Sequence, residues 1–217
     1  MSSFVDCLSA NFLSAFLAGM SVNFEIAAIA IALGLALGLP LTFARLQGGA
    51  AGSVAALVVG LMRAAPTFVV MFFVLNALPH GGSLSGVMIV AVSLVPYAAA
   101  YVSDSGVDAM RQLRVGSPLA CFLILPNLAR AFFVLVMSSS AGAAIGVSEG
   151  IAVILHQAET LPSLGSQLFL CAIGIVCFGI PLQAAFALIR LVQRHLGRSA
   201  LRNRKDMPTG ETTMVAE

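Results

Sequence analysis

Ile26-Ala-Ala-Ile-Ala-Ile-Ala-Leu-Gly-Leu-Ala-Leu-Gly-Leu39 is the stretch whose reading decides the fold. It holds no charge and no hydrogen-bonding side chain. With its flanks, Val22–Phe43, it reaches the ~20 apolar residues that a tilted helix needs to cross the hydrocarbon of a bilayer. Lipid gives a backbone N–H or C=O no partner, so a segment of this kind is helical.

Working outward, Val54–Leu78, Leu84–Val102, Leu128–Val147 and Leu164–Leu188 repeat the pattern. The reading is all-α, a polytopic membrane helix bundle of five transmembrane helices, with a transmembrane domain over 1–196. Composition agrees. Of 217 residues, 59% are hydrophobic and 9% charged, where a soluble domain carries about 25% charge. A mean hydropathy of +1.02 therefore describes surface that faces lipid, not an oversized core. This excludes a soluble enzyme. The mildly apolar Phe4–Met20 suits an interfacial helix lying flat on the membrane. The polar stretch 197–217 is expected to be a disordered tail.

Basic residues set the orientation, because Lys and Arg stay on the cytoplasmic side. Arg45 follows span one, Arg111 and Arg114 follow span three, and Arg130 opens span four. Arg190, Arg194, Arg198, Arg202, Arg204 and Lys205 follow span five. The alternate segments, 1–21, 79–83 and 148–163, have no Lys or Arg. The N-terminus is thus expected outside and the C-terminus in the cytoplasm. No basic residue precedes Arg45, so the start does not read as a secretory signal peptide.

Cys7, Cys121, Cys171 and Cys177 have no metal-ligand spacing, and His80, His156 and His195 lie away from them. The cysteines read as small apolar filler. No metal, no bound cofactor and no catalytic constellation is expected.

A few polar features remain. Arg63 falls inside the second apolar run. A charge there costs about 2.5–3.5 kcal/mol on insertion scales, so it should face protein or water, or snorkel to the headgroups. Pro66, just before Thr67, can kink that helix. Gly34-Leu-Ala-Leu-Gly38 and Gly142-Ala-Ala-Ile-Gly146 are small-xxx-small pairs that let helices approach closely. Ser138–Ser140 could meet a polar solute. Glu149, His156 and Glu159 read as solvated loop charge, or as contacts for substrate or an extracytoplasmic protein, and Glu25 as a surface residue. Between spans three and four, Asp108-Ala-Met-Arg-Gln-Leu113 forms a short charged loop. Met110 and Leu113 are three apart, on one helical face, with Asp108, Arg111 and Gln112 largely off it. An apolar pair rimmed by charge suits a groove on a partner.

From about Phe12 to Leu196 the chain resembles permease subunits of ATP-binding-cassette importers, in the polar amino acid uptake branch. Four segments carry the resemblance, in family order. The first runs from Phe16-Leu-Ala-Gly-Met-Ser through the Gly34–Gly38 pair to Ala44-Arg45-Leu46. The second, Leu61-Met-Arg63-Ala-Ala-Pro66-Thr67, is similar to an Arg-Gly-Thr-Pro element, with Ala64-Ala65 in place of Gly-Thr. In the third, Asp108-Ala109-Met110 resembles the start of a Glu-Ala-Ala loop and Ile124-Leu125-Pro126 its end. There Arg114 stands where a Gly is expected, and the loop is shorter than the pattern. The fourth, Ser139 to Ile145-Gly-Val-Ser-Glu149, resembles a Ser-Leu…Ile-Gly-Val-x-Glu segment, with Met137-Ser138 where the family has Lys-Asp.

The resemblance implies a permease subunit in a bacterial cytoplasmic (inner) membrane, giving passage to amino acids or similar small polar solutes. Its ATPase-coupling loop would cover about 103–121, with Asp108, Ala109, Met110, Arg111, Leu113, Leu125 and Pro126 engaged. Arg63, Pro66, Thr67, Ser139, Ser140 and Glu149 would serve the pathway. Implied partners are an ATP-binding-cassette ATPase subunit, a second permease (the same chain or a paralogue) and an extracytoplasmic solute-binding protein. The chain lacks a phosphate-cradling Gly-x-x-x-x-Gly-Lys-Ser/Thr loop, so it is no enzyme itself, and ATP would be used by the partner. Two readings from other classes stay open: an ATP-independent secondary transporter or channel, and a degenerate, non-transporting assembly partner.

Overall fold

The structure, a computed structural model, describes residues 10–77, 84–115 and 120–205. His80, Cys7 and the tail beyond Lys205 lie outside the described residues. Among the described residues the elements are all helical: α1 (Ala10–Gln47), α2 (Gly49–Ala64), α3 (Thr67–Ala77), α4 (Gly86–Arg114), α5 (Ala120–Ser138), a 3-10 helix (Ser139–Ile145), α6 (Gly150–Glu159) and α7 (Leu164–Lys205). Four of these spans are long and apolar enough to cross a membrane, and α2 with α3 can form a fifth. The five runs expected from the sequence are all present, in a multi-pass membrane protein.

Their ends differ from the expectation in instructive ways. Helix α1 is a single element of 38 residues, about 57 Å long. The separate flat helix expected over Phe4–Met20 is absent where the chain is described, because Ala10–Met20 simply continues α1. That part is held by packing: Phe16 is buried and meets Phe178 of α7 edge-on at 5.8 Å. The Gly19 backbone lies so close to Glu149 and Gly150 that a Cβ there would sit 2.9 Å from their main chain.

The second run is bent by 96° between α2 and α3. Proline forces its predecessor out of the helical region, and Ala65 is extended at φ −69°, ψ 118°. The kink expected at Pro66 is thus a break. Helix α4 runs on through Arg114, where a loop was expected from about 103. Helix α5 tightens after Ser138 into the 3-10 turn and stops at Gly146, whose φ of 83° suits glycine. The chain then enters α6, a helix where a loop was expected. Helix α7 continues through Lys205, so the stretch 197–205, expected to be disordered, is helical.

The core lies between α1 and α4. Ile26, Ala27 and Ala30 face Val90, Ala91, Leu94 and Ala98, all buried. Here the Gly34–Gly38 pair acts as expected. A Cβ on Gly34 would lie 2.5 Å from the Ala98 Cβ, and one on Gly38 would lie 2.7 Å from the Ala99 carbonyl oxygen. Without a hydrophobic drive between helices in lipid, such close approach is what holds them. In the second pair, Gly142 packs against α4, where a Cβ would lie 3.2 Å from Val90 Cγ2, and Gly146 ends the 3-10 turn.

Candidate functional sites at the two ends of helix α1

Two polar clusters sit on α1, at Asn23 and at Arg45. The 22-residue interval is about 33 Å along the axis, close to the ~30 Å hydrocarbon thickness. The clusters therefore bracket the apolar layer.

At the Asn23 end, three segments meet on one amide. Asn23 Nδ2 donates to Ser139 Oγ at 2.8 Å and to Glu149 Oε2 at 2.8 Å. Its Oδ1 accepts from the Gly150 N–H at 2.9 Å. Glu149 also caps α6, its Oε2 accepting from Ile151 N–H at 2.8 Å and its Oε1 from Ala152 N–H at 2.9 Å. Ser139 Oγ in turn donates to the Val136 carbonyl at 2.7 Å. Asn23, Ser139 and Glu149 are each 0% exposed. Burial raises the Glu149 carboxyl above its ordinary pKa, and the hydrogen bonds it accepts offset part of that rise. Glu149 was expected to be solvated or in contact with a partner. It is instead a buried, internal helix cap. Ser140 lies beside this node, donating to the Met137 carbonyl at 2.6 Å. His156 and Glu159 are exposed, 4.0 Å apart, a surface pair of little energetic weight.

At the Arg45 end, Asp104 of α4 joins two arginines. Arg45 Nη1 donates to Asp104 Oδ1 at 2.8 Å and to Ser103 Oγ at 3.0 Å. Arg63, in the last turn of α2, donates from Nη2 to Asp104 Oδ2. Arg63 is thus not a charge stranded in mid-span; it ties the bend at Ala65-Pro66 to α4. Pro66 and Thr67 stand at that bend, apart from Ser139 and Glu149 at the other end. The residues expected to line one pathway are divided between the two clusters.

The last two turns of α4 hold Asp108–Arg114. They are not a free-standing coupling helix but the end of a span. Met110 and Leu113 are half-buried, so neither is fully available to a partner. Asp108 and Arg111 are exposed and, with Pro126, line a cleft of about 370 Å³ between α4 and α5. Ala109 lines the same cleft while being largely buried. Leu125 is turned to another face of α5, in an apolar groove with Phe24 and Phe132. Beyond Arg114, Val115 is 88% exposed.

Sequence reasoning missed Asn23 and Asp104. Each had a signal: an amide at the start of an apolar run, and an acid at the end of one. Polar side chains at such positions need partners.

No protein-family model and no curated protein sequence matches this chain. Solved structures do share its fold. A chain of an amino acid ABC transporter crystallised with histidines aligns with a TM-score of 0.65 at 18% identity, covering 85% of this chain and 95% of that one. A chain of the MetNI methionine ABC transporter, in inward-facing conformations, aligns with a TM-score of 0.61 at 16% identity, covering 85% and 99%. At these identities the likeness is one of fold.

Proposed function

We propose that this chain is a membrane-spanning permease subunit of an ATP-driven importer of the ATP-binding-cassette class. It forms part of the path for amino acids or similar small polar solutes across a bacterial inner membrane. The observation that carries the reading is the fold likeness over 85% of the chain to a chain of an amino acid ABC transporter. The four ordered sequence segments support it independently.

In this reading the N-terminus is outside and the C-terminus cytoplasmic, so the Arg45 end faces the ATPase. A separate ATPase subunit binds and hydrolyses ATP, and this chain performs no chemistry. The contact falls at the tip of α4, where Arg114 and the exposed Val115 project. A second permease completes the path, and an extracytoplasmic solute-binding protein delivers the solute near α6. ATP-driven closure of the ATPase pair moves the α4 tips together. The bundle is thereby rocked between outward and inward access.

A second reading, a non-transporting assembly partner, draws on one observation. Helix α4 runs unbroken to Arg114, and only 115–119 separate it from α5, which leaves little chain for a coupling helix.

Tagged protein, purified in detergent, is expected to bring down an ATPase subunit. The pair of changes Arg114→Glu and Val115→Asp is expected to reduce that recovery at least tenfold without altering folding, since both side chains are exposed. Wild type that is folded yet recovers no ATPase would favour the assembly-partner reading.

A further inference from the structure

Tyr97 and Tyr101 of α4 carry two hydroxyl groups to a depth where lipid offers them nothing. The depth follows from the seam between α1 and α4. Gly34 stands eleven residues from Asn23 and eleven from Arg45, so it marks the middle of the apolar layer that those clusters bracket. Gly34 packs against Ala98, which puts the adjacent Tyr97 at the bilayer centre. Tyr101 is one turn, about 6 Å, nearer the Arg45 end. Tyrosine in a membrane protein normally sits at the interface, with its ring in apolar surroundings and its hydroxyl in water.

The two rings are neighbours, with centroids 6.1 Å apart and planes tilted by 37°. Both side chains are half-buried. Among the described residues, neither hydroxyl has a hydrogen-bond partner, and no fully buried side-chain oxygen lacks one. Both hydroxyls therefore reach the accessible surface of the chain. Tyr97, Tyr101 and Asp104 are spaced i, i+4, i+7, so they share one face of α4. A different face meets α1 through Ala98 and Val102. A polar stripe at this depth faces a bundle interior or a water-filled cavity, not lipid. At its lower end Arg45 and Arg63 share the one carboxylate of Asp104, which leaves a positive charge in excess.

We propose that Tyr97 and Tyr101 line the translocation path and donate hydrogen bonds to the carboxylate of the passing solute at the bilayer centre. The inference rests on the permease reading and adds a contact site to it. Hydrogen bonds to an ionised acceptor are the strong ones, so two neutral hydroxyls can hold a carboxylate without a fixed counter-charge. The excess positive charge at Asp104 draws the same group onward to the Arg45 end. A solute with an amide in place of its carboxylate is a weaker acceptor and gains less from both.

Two measurements on proteoliposomes, made with protein purified through this chain, test the proposal. In the first, Cys7, Cys121, Cys171 and Cys177 are replaced by alanine and single cysteines are introduced. The charged, water-soluble reagent sulfonatoethyl methanethiosulfonate, supplied on both faces, should modify Tyr97→Cys and Tyr101→Cys at least tenfold faster than Ile175→Cys. Ile175 is 68% exposed near the middle of the α7 span and serves as the lipid-facing control. Rates equal to that control overturn the proposal, because lipid or the second permease then covers the pair. The second measurement is ATP-driven uptake of a labelled amino acid mixture by Tyr97→Phe with Tyr101→Phe, which removes the hydroxyls and keeps the rings. KM should rise about tenfold while the maximal rate stays within twofold of wild type. Uptake by wild type with an unchanged KM in the double variant overturns this proposal and leaves the permease reading standing. A folded wild-type complex that takes up nothing overturns both. If the double variant does not fold, Tyr101→Phe alone decides by the same criterion.

Discussion

Replacing Asn23 by leucine is expected to destabilise the fold by about 3–5 kcal/mol, the range found when one partner of a buried charged group is removed. Leucine is similar in size, so little of this is cavity formation. The cost comes from three groups left behind at a node with no exposure to solvent: the Glu149 carboxyl, the Ser139 hydroxyl and the Gly150 N–H. Glu149→Gln should also be poorly tolerated. Both Glu149 oxygens accept from N–H donors, so an amide nitrogen would face a donor wherever it pointed. Unfolding by dodecyl sulfate titration, followed by circular dichroism, measures the difference. Stability within about 0.5 kcal/mol of wild type would show that the node does not hold α1, the 3-10 turn and α6 together.

Asp104→Ala is expected to cost about 2–3 kcal/mol, because charge-assisted hydrogen bonds to a partly buried arginine are lost. Its two partners should not contribute equally. The Arg45 side chain is 21% exposed and that of Arg63 is 60% exposed, and exposed ion pairs are worth about 0–1 kcal/mol. Double-mutant cycles should therefore give a larger coupling for Asp104 with Arg45 than for Asp104 with Arg63. The reverse order would mean that the bend at Pro66, rather than the α1–α4 seam, depends on the cluster. A change in the α2–α3 bend on Arg63→Ala, read by spin-label distances, would separate the local role of Arg63 from its small energetic one.

The sequence carried the architecture where the physics is local. Apolar run length set the span count, because lipid forbids unsatisfied backbone. Pro66 marked the break, because proline constrains its own neighbours. Gly34 and Gly38 marked the helix face that meets α4, because only glycine permits that approach. What was illegible depends on tertiary context. Asp108–Arg114 reads as a short helix within a separate loop because it is polar, yet Ala109, Met110, Arg111, Gln112 and Leu113 are all good helix formers and simply continue α4. Polarity there reports the end of the lipid, not the end of the helix. Glu149 reads as solvated because its partner Asn23 lies 126 positions away. The cleft between α4 and α5 depends on where two helices sit side by side, and no single segment announces it.

The central claim is that the chain transports as part of an ATP-driven complex. The most direct measurement is uptake by proteoliposomes containing the complex purified through this chain. ATP is supplied on the ATPase side, and a labelled amino acid mixture with its solute-binding protein on the other. The account predicts accumulation against a gradient that stops when ATP is omitted. Equilibration at the same rate without ATP would contradict it and point to an ATP-independent transporter or channel. No uptake by a folded complex with a working ATPase would contradict it too, and leave an assembly partner that does not transport.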